Sequence, residues 1–217
     1  MIVTSNSSPD ELYPNGLQRQ KFLPAIALIK RYLRVINIDS GNDYRLREMA
    51  SAPLFMLTAD AKTESRMQAI FQRLSAASTE AALAIEIQGR SIPVKKLARQ
   101  IAWFDFNAIC GGPRAQEDYL EIARRFHTIF ISDIPQMAAN EAAEIQRFIW
   151  LVDVLYDNRV KLVASSAVSA GQICMDDEKA TEFKRTVSRL IEMQSQNYLE
   201  LQHQAEIQPS PAITRKI

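Results

Sequence analysis

An amide and an arginine stand near the start of the chain. Asn6 ends the run Met1-Ile2-Val3-Thr4-Ser5-Asn6, and Arg19 closes the stretch Leu12-Tyr13-Pro14-Asn15-Gly16-Leu17-Gln18-Arg19. A carboxamide at the tip of a buried strand can orient a water or touch a terminal phosphate. An arginine delivered by the next loop can place a fixed positive fork where charge develops on a phosphoryl group of a neighbouring subunit. Both residues also have plainer uses: Thr-Ser-Asn caps turns, and a loop arginine makes surface salt bridges. Two further arginine pairs invite the same question. Arg45 and Arg47 alternate in Asp43-Tyr44-Arg45-Leu46-Arg47 and share one face of an extended segment, which suits phosphate contact or an inter-domain ion pair equally. Arg185 and Arg189 are four apart on a helix and lie one above the other, as a second sensor of nucleotide or as a basic solvent face.

Other chemistries find less support. Asp105, Asp118, Asp133, Asp153 and Asp157 have no histidine or serine placed to complete a hydrolase triad. Gly111-Gly112-Pro113-Arg114 is a turn before a helix that lacks the Gly-Lys-Ser/Thr ending of a phosphate loop. Cys110 and Cys174 are far apart with no CxxC partner, and only His127 and His203 could join them, so no metal site is expected. A net charge of +1 gives no global argument for nucleic acid; Lys30-Arg31 and Lys95-Lys96 read as short solvated pairs. No run reaches the length of a membrane span. Met1-Ile2-Val3 is too short an apolar run for a signal peptide. A reducing cytoplasm is the expected compartment.

The elements that must position these residues follow from periodicity. An amphipathic helix is expected over 22–33 following Pro24, a strand over 34–39, and turn chemistry at 40–43. A helix over 61–77 places Met67, Ile70, Phe71 and Leu74 on one face. A hairpin is expected from 83–88 and 91–95 around Gly89-Arg90, with Pro93 marking an edge. Strands at 101–106, 128–134 and 160–165 alternate with helices at 116–126 and 141–156, the pattern of a parallel α/β unit with right-handed crossovers. One long helix is expected over 178–204, before a frayed tail from Pro209. No internal repeat is evident.

Several strings, in order, resemble the ZapE-type cell-division ATPases of the "ATPase family gene one" family. They are Asn6, Leu17-Gln18-Arg19, Phe22-Leu23-Pro24, Asp43 to Arg47, Trp103-Phe104-Asp105-Phe106, Asp118-Tyr119-Leu120, Ser132-Asp133-Ile134-Pro135, Arg147-Phe148-Ile149, Leu155-Tyr156-Asp157, and Arg185-Thr186 with Ser188 to Met193. The resemblance implies an α/β fold: the C-terminal part of a P-loop, AAA+-like sheet, then a hairpin and a second small parallel α/β unit. On that reading 1–50 is the remnant of the ATPase core, 51–100 a connecting region, 101–205 the second unit and 206–217 a flexible tail. It implies ATP and Mg2+ as cofactors of the full-length family. Arg19 and Asn6 would be its catalytic residues, and Arg45, Arg47, Arg185 and Arg189 its nucleotide contacts. The implied partners are the tubulin-like division-ring protein and other copies of the ATPase. The phosphate loop and magnesium carboxylate of that family are not in these residues. The expected role is therefore a C-terminal portion inactive alone, the alternative being a stand-alone interaction module or a pseudogene-like fragment.

Overall fold

The computed structural model describes residues 9, 19–35, 49, 52–75, 79–80 and 84–204. The chain divides into two units, one of residues 1–43 with 209–217 and one of residues 44–208. Expected features at 36–39, 40–43, 43–47 and 206–217 lie outside the described residues, as does Asn6.

In the first unit a single helix, α1 (Arg19–Tyr32), is described. It begins at Arg19 rather than after Pro24, which lies inside it. Pro24 is the sixth residue of the helix, past the N-terminal amides that have no intrahelical acceptor, so it forfeits the bond to the Gln20 carbonyl. Ile26 is its buried side chain, whereas Leu28 and Tyr32 are exposed.

The second unit is built on a six-stranded sheet in the order β1-β8-β7-β6-β5-β2. Its strands are β1 (Phe55–Leu57), β2 (Thr79–Glu80), β5 (Lys96–Ala98), β6 (Ile101–Asp105), β7 (Thr128–Ile134) and β8 (Lys161–Ser166). β1, β8, β7 and β6 run parallel, while β5 and β2 add antiparallel at the far edge. The stretch 51–100, expected to connect, thus supplies three strands of this sheet, each of two or three residues. The mixed α/β architecture with a mostly parallel sheet is the one the periodicity implied.

Side chains alternate across the strands and so create two cores. Ala102, Phe104, Ile129, Ile131, Leu162 and Ala164 face one side. There they meet α3 (Gln116–Arg125), α4 (Ala142–Asp157) and α5 (Ala180–Glu192), through residues such as Tyr119, Ile122, Phe148, Val152 and Phe183. Trp103, Phe130 and Val163 face the other side and meet α2 (Thr63–Ser75) through Met67, Ile70, Phe71 and Leu74. Phe71, Trp103 and Phe130 pack with ring centroids 5.4–5.8 Å apart. The crossovers β6-α3-β7-α4-β8 join strands that are neighbours in the sheet, which fixes β6, β7 and β8 as its centre.

A separate hairpin, β3 (Ala84–Ile87) with β4 (Arg90–Pro93), lies over α3. Its turn is Gln88-Gly89, one residue earlier than expected, because both residues take positive φ (48° and 70°). That is the conformation of a tight hairpin turn matching strand twist. Gln88 donates from its backbone and side chain to Glu121, and Arg125 donates to the Glu86 carbonyl.

The long helix expected over 178–204 is broken. α5 ends at Glu192, and a short α6 (Gln196–Leu199) follows, with the Ser195 hydroxyl accepting from the Tyr198 amide as an N-cap. Lys161 then draws the following turn in by donating to the carbonyls of Tyr198 and Leu201.

Candidate functional site

Three of the six residues singled out for nucleotide chemistry are described: Arg19, Arg185 and Arg189. Asn6, Arg45 and Arg47 lie outside the described residues. Arg19 is in the first unit and Arg185 and Arg189 are in the second.

Arg19 is the first residue of α1, half-buried, in a first turn that holds no acidic side chain. A helix N-terminus favours anions, so a guanidinium there opposes the macrodipole at a cost of about 0.3–1 kcal/mol. Local helix stability does not account for its placement. Lys30 and Arg31, in the last turn, are where the dipole prefers cations.

Arg185 and Arg189 project from α5 onto one carboxylate of α4. Arg185 Nη2 donates to Asp153 Oδ2 at 2.6 Å, and Arg189 Nη1 meets Asp153 Oδ1 at 2.6 Å as an ion-pair contact outside hydrogen-bond angles. Arg189 also reaches Asp157 at 3.4 Å and lies over the Tyr156 ring, 4.8 Å from its centroid. A hydrogen bond to Glu192 pushes the Tyr156 phenol above its usual range, with burial adding to it. Asp153 is 16 % exposed, Arg189 20 % and Arg185 57 %, so the inner arginine carries most of this clamp between the two helices.

A second polar cluster sits at the carboxyl ends of β6 and β7, the rim where open parallel sheets carry ligands. Lys95 Nζ stands 3.4 Å from Asp105, 3.5 Å from Glu64 and 3.3 Å from the Ser132 hydroxyl, over the Trp103 ring. The Trp103 indole N–H donates to the same hydroxyl at 2.6 Å. Two carboxylates pair with Lys95, and Ser132 is fully buried. The arrangement braces α2 against the rim. Beside it Asp133 takes φ +61° where the β7–β8 register shifts, with its amide held by the Ser165 hydroxyl. Sequence reading treated Lys95-Lys96 as a solvated pair. The missed signal was a serine inside a mostly apolar central strand, which needs buried partners.

The remaining chemistry is quiet. Among the described residues no group of three histidine, cysteine or acidic side chains could hold a metal. Burial pushes the Cys110 thiol up to about 12, so it is no nucleophile at neutral pH. Among the described residues no helix is long and apolar enough to cross a membrane.

Comparison with known proteins adds what these contacts do not. A family profile described as AFG1-like ATPase matches residues 1–202. Cell division protein ZapE of Escherichia coli K12 is 40 % identical over 205 residues, covering 94 % of this chain and 55 % of that protein. Lactation elevated protein 1 homolog B of Danio rerio is 31 % identical over 233 aligned positions, covering 91 % and 46 %. An uncharacterized protein of Schizosaccharomyces pombe is 36 % identical over 175 residues, covering 80 % and 38 %. The chain spans about half the length, or less, of these relatives. No solved structure matches. With the profile matched over nearly its whole length, the chain belongs to the AFG1-like ATPase family.

Proposed function

We propose that this chain is the C-terminal portion of a magnesium-dependent, ATP-hydrolysing ZapE-like ATPase acting in bacterial cell division. The observation that carries the reading is the 40 % identity to Escherichia coli cell division protein ZapE across 94 % of the chain. These 217 residues contain no Gly-x-x-x-x-Gly-Lys-Ser/Thr string, so the groups that cradle ATP and Mg2+ are supplied from outside them. The chain contributes the other side of the chemistry. Asn6 orients the attacking water at the terminal phosphate. Arg19 neutralises charge developing on the phosphoryl group in a neighbouring copy. Arg45 and Arg47 add phosphate contacts. Arg185 and Arg189 join them by exchanging the Asp153 carboxylate for phosphate oxygens, acceptors of matching geometry. Its partners are other copies of the ATPase and the tubulin-like division-ring protein, in a reducing cytoplasm.

Two measurements test this. ATP binding and turnover are followed for the purified chain beside an Arg19→Ala version, and neither is expected to exceed background. Magnesium-dependent turnover abolished by Arg19→Ala would place a phosphate site within these residues and sink the division of labour. The chain is then added to a full-length family member whose equivalent arginine is alanine. Restored turnover of about tenfold or more, absent with Arg19→Ala, is expected if Arg19 acts in trans; no restoration counts against it.

A further inference from the structure

A groove of about 390 Å3 runs between the turn Ala170–Gln172 and α5. Its apolar lining is Gly171, Cys174, Ala180 and Val187, over a floor of Phe183 that is only 3 % exposed. Ser188 also lines it, but its hydroxyl hydrogen is committed to the Lys184 carbonyl at 3.0 Å. One charge faces this surface. Lys184 lines the groove and is exposed, and among the described residues it has no acidic partner, whereas nearby Lys179 is paired with Glu182 and Arg185 with Asp153. The apolar surface continues beyond the groove: Ile191, one turn on from Val187, is 61 % exposed, and Met175, beside Cys174, is 63 % exposed.

We propose that this groove is a binding site for a small amphipathic carboxylate, a medium-chain fatty acid in its simplest form. The apolar body lies on Cys174, Ala180 and Val187, and the carboxylate meets Lys184. The volume falls at the lower end of small-molecule pockets, where apolar walls supply affinity and a few polar groups fix orientation. A compact ammonium on a flexible stem suits a singly charged head better than a bidentate one. Neither Arg185 nor Arg189 lines the groove, so this site is independent of the nucleotide reading and survives or fails apart from it.

The groove carries its own reporter. Cys174 lines it and is partly exposed, whereas Cys110 is buried with its thiol pushed up to about 12. Alkylation of the native chain by N-ethylmaleimide therefore reads Cys174. Decanoate, below its micellar concentration, is expected to slow that labelling by about tenfold or more at saturation. Decanol at equal concentration is expected to protect far less, and Lys184→Glu and Lys184→Gln to lose the protection by decanoate. Lys184 is exposed, so both variants should fold, and their unmodified labelling rate without ligand checks that the groove is intact. Absence of protection by decanoate overturns the site. Equal protection by decanol, or full protection in both variants with intact grooves, overturns the role of Lys184.

Discussion

The ammonium of Lys161, at the start of β8, donates to the backbone carbonyl of Tyr198 at 2.9 Å. A second bond runs to the carbonyl of Leu201 at 2.7 Å, and the lysine is only 8 % exposed. The Tyr198 hydroxyl in turn lies 3.2–3.3 Å from the carbonyls of Leu155, Tyr156 and Val160, and burial pushes its pKa upward. The segment after α5 is thereby latched to the end of the sheet. Lys161→Met keeps the apolar stem but leaves two carbonyls without their donor, a loss of about 2 kcal/mol. Hydrogen exchange is expected to quicken at 195–204 while the amides of β7 keep their protection. Equal acceleration in both places would show that the latch is part of the global core.

The clamp of Arg185 and Arg189 on Asp153 is expected to be unequal. Arg185 is more than half exposed, so its pair is screened and Arg185→Ala should change stability by no more than about 0.5 kcal/mol. Arg189, one-fifth exposed and lying over Tyr156, should cost about 1–2 kcal/mol when changed to alanine. Denaturant midpoints of the two variants, with Asp153→Ala to close double-mutant cycles, measure the difference. Equal costs would mean that Asp153 holds both arginines alike despite their exposure.

What the sequence displayed and what it hid separate along a physical line. β7 was legible residue for residue because Thr128 to Ile131 form a β-branched and aromatic run and Pro135 closes the segment just after Ile134. α2 was legible because Met67, Ile70, Phe71 and Leu74 keep helical spacing. β1, β2 and β5 were not legible, since two or three residues carry no period, and each is a strand only because a longer neighbour pairs with it. The break between α5 and α6 hid for a similar reason. Met193, Gln194 and Ser195 are compatible with helix, and the decision is made by Lys161, remote in sequence. At the site, the helical spacing of Arg185 and Arg189 was readable but their shared partner Asp153 was not, because only the packing of α4 against α5 brings it there.

Alkaline stability should follow the buried thiol. Burial raises the Cys110 pKa from 9.0 to about 12. The folded state therefore holds a proton that the unfolded chain releases. Its contribution is fully present below pH 9 and is lost as pH rises toward 12. The raised phenols of Tyr119 and Tyr198 act in the same direction at higher pH. Guanidinium midpoints are expected to be flat from pH 7 to about 8.5 and to fall above pH 9, with Cys110→Ala flattening the first part of that fall. An unchanged slope in Cys110→Ala would show that the buried thiol does not set the fall.

The hairpin turn offers a test of backbone strain alone. Gly89 sits at φ +70°, and a Cβ built there meets nothing within 4 Å. Gly89→Ala therefore adds no clash with another part of the chain and leaves only the left-handed penalty, about 1 kcal/mol. A drop of that size in unfolding free energy, without change elsewhere in the amide spectrum, is expected; a larger one would reveal a contact made by the displaced turn.

The rim of the sheet turns on one hydroxyl. Ser132 receives the Trp103 indole N–H at 2.6 Å and the Lys95 ammonium at 3.3 Å, while Trp103 and Ser132 are both fully buried. Lys95 keeps Asp105 and Glu64 if the hydroxyl is removed, but the buried indole N–H loses its acceptor. Ser132→Ala should thus cost about 1–3 kcal/mol, the desolvation penalty of an orphaned donor rather than the modest net value of one bond. Trp103→Phe removes donor and demand together, so the double variant should be less than additively destabilised. Thermal unfolding of the single and double variants decides it: additive losses would show that the serine acts through Lys95 and not through the indole.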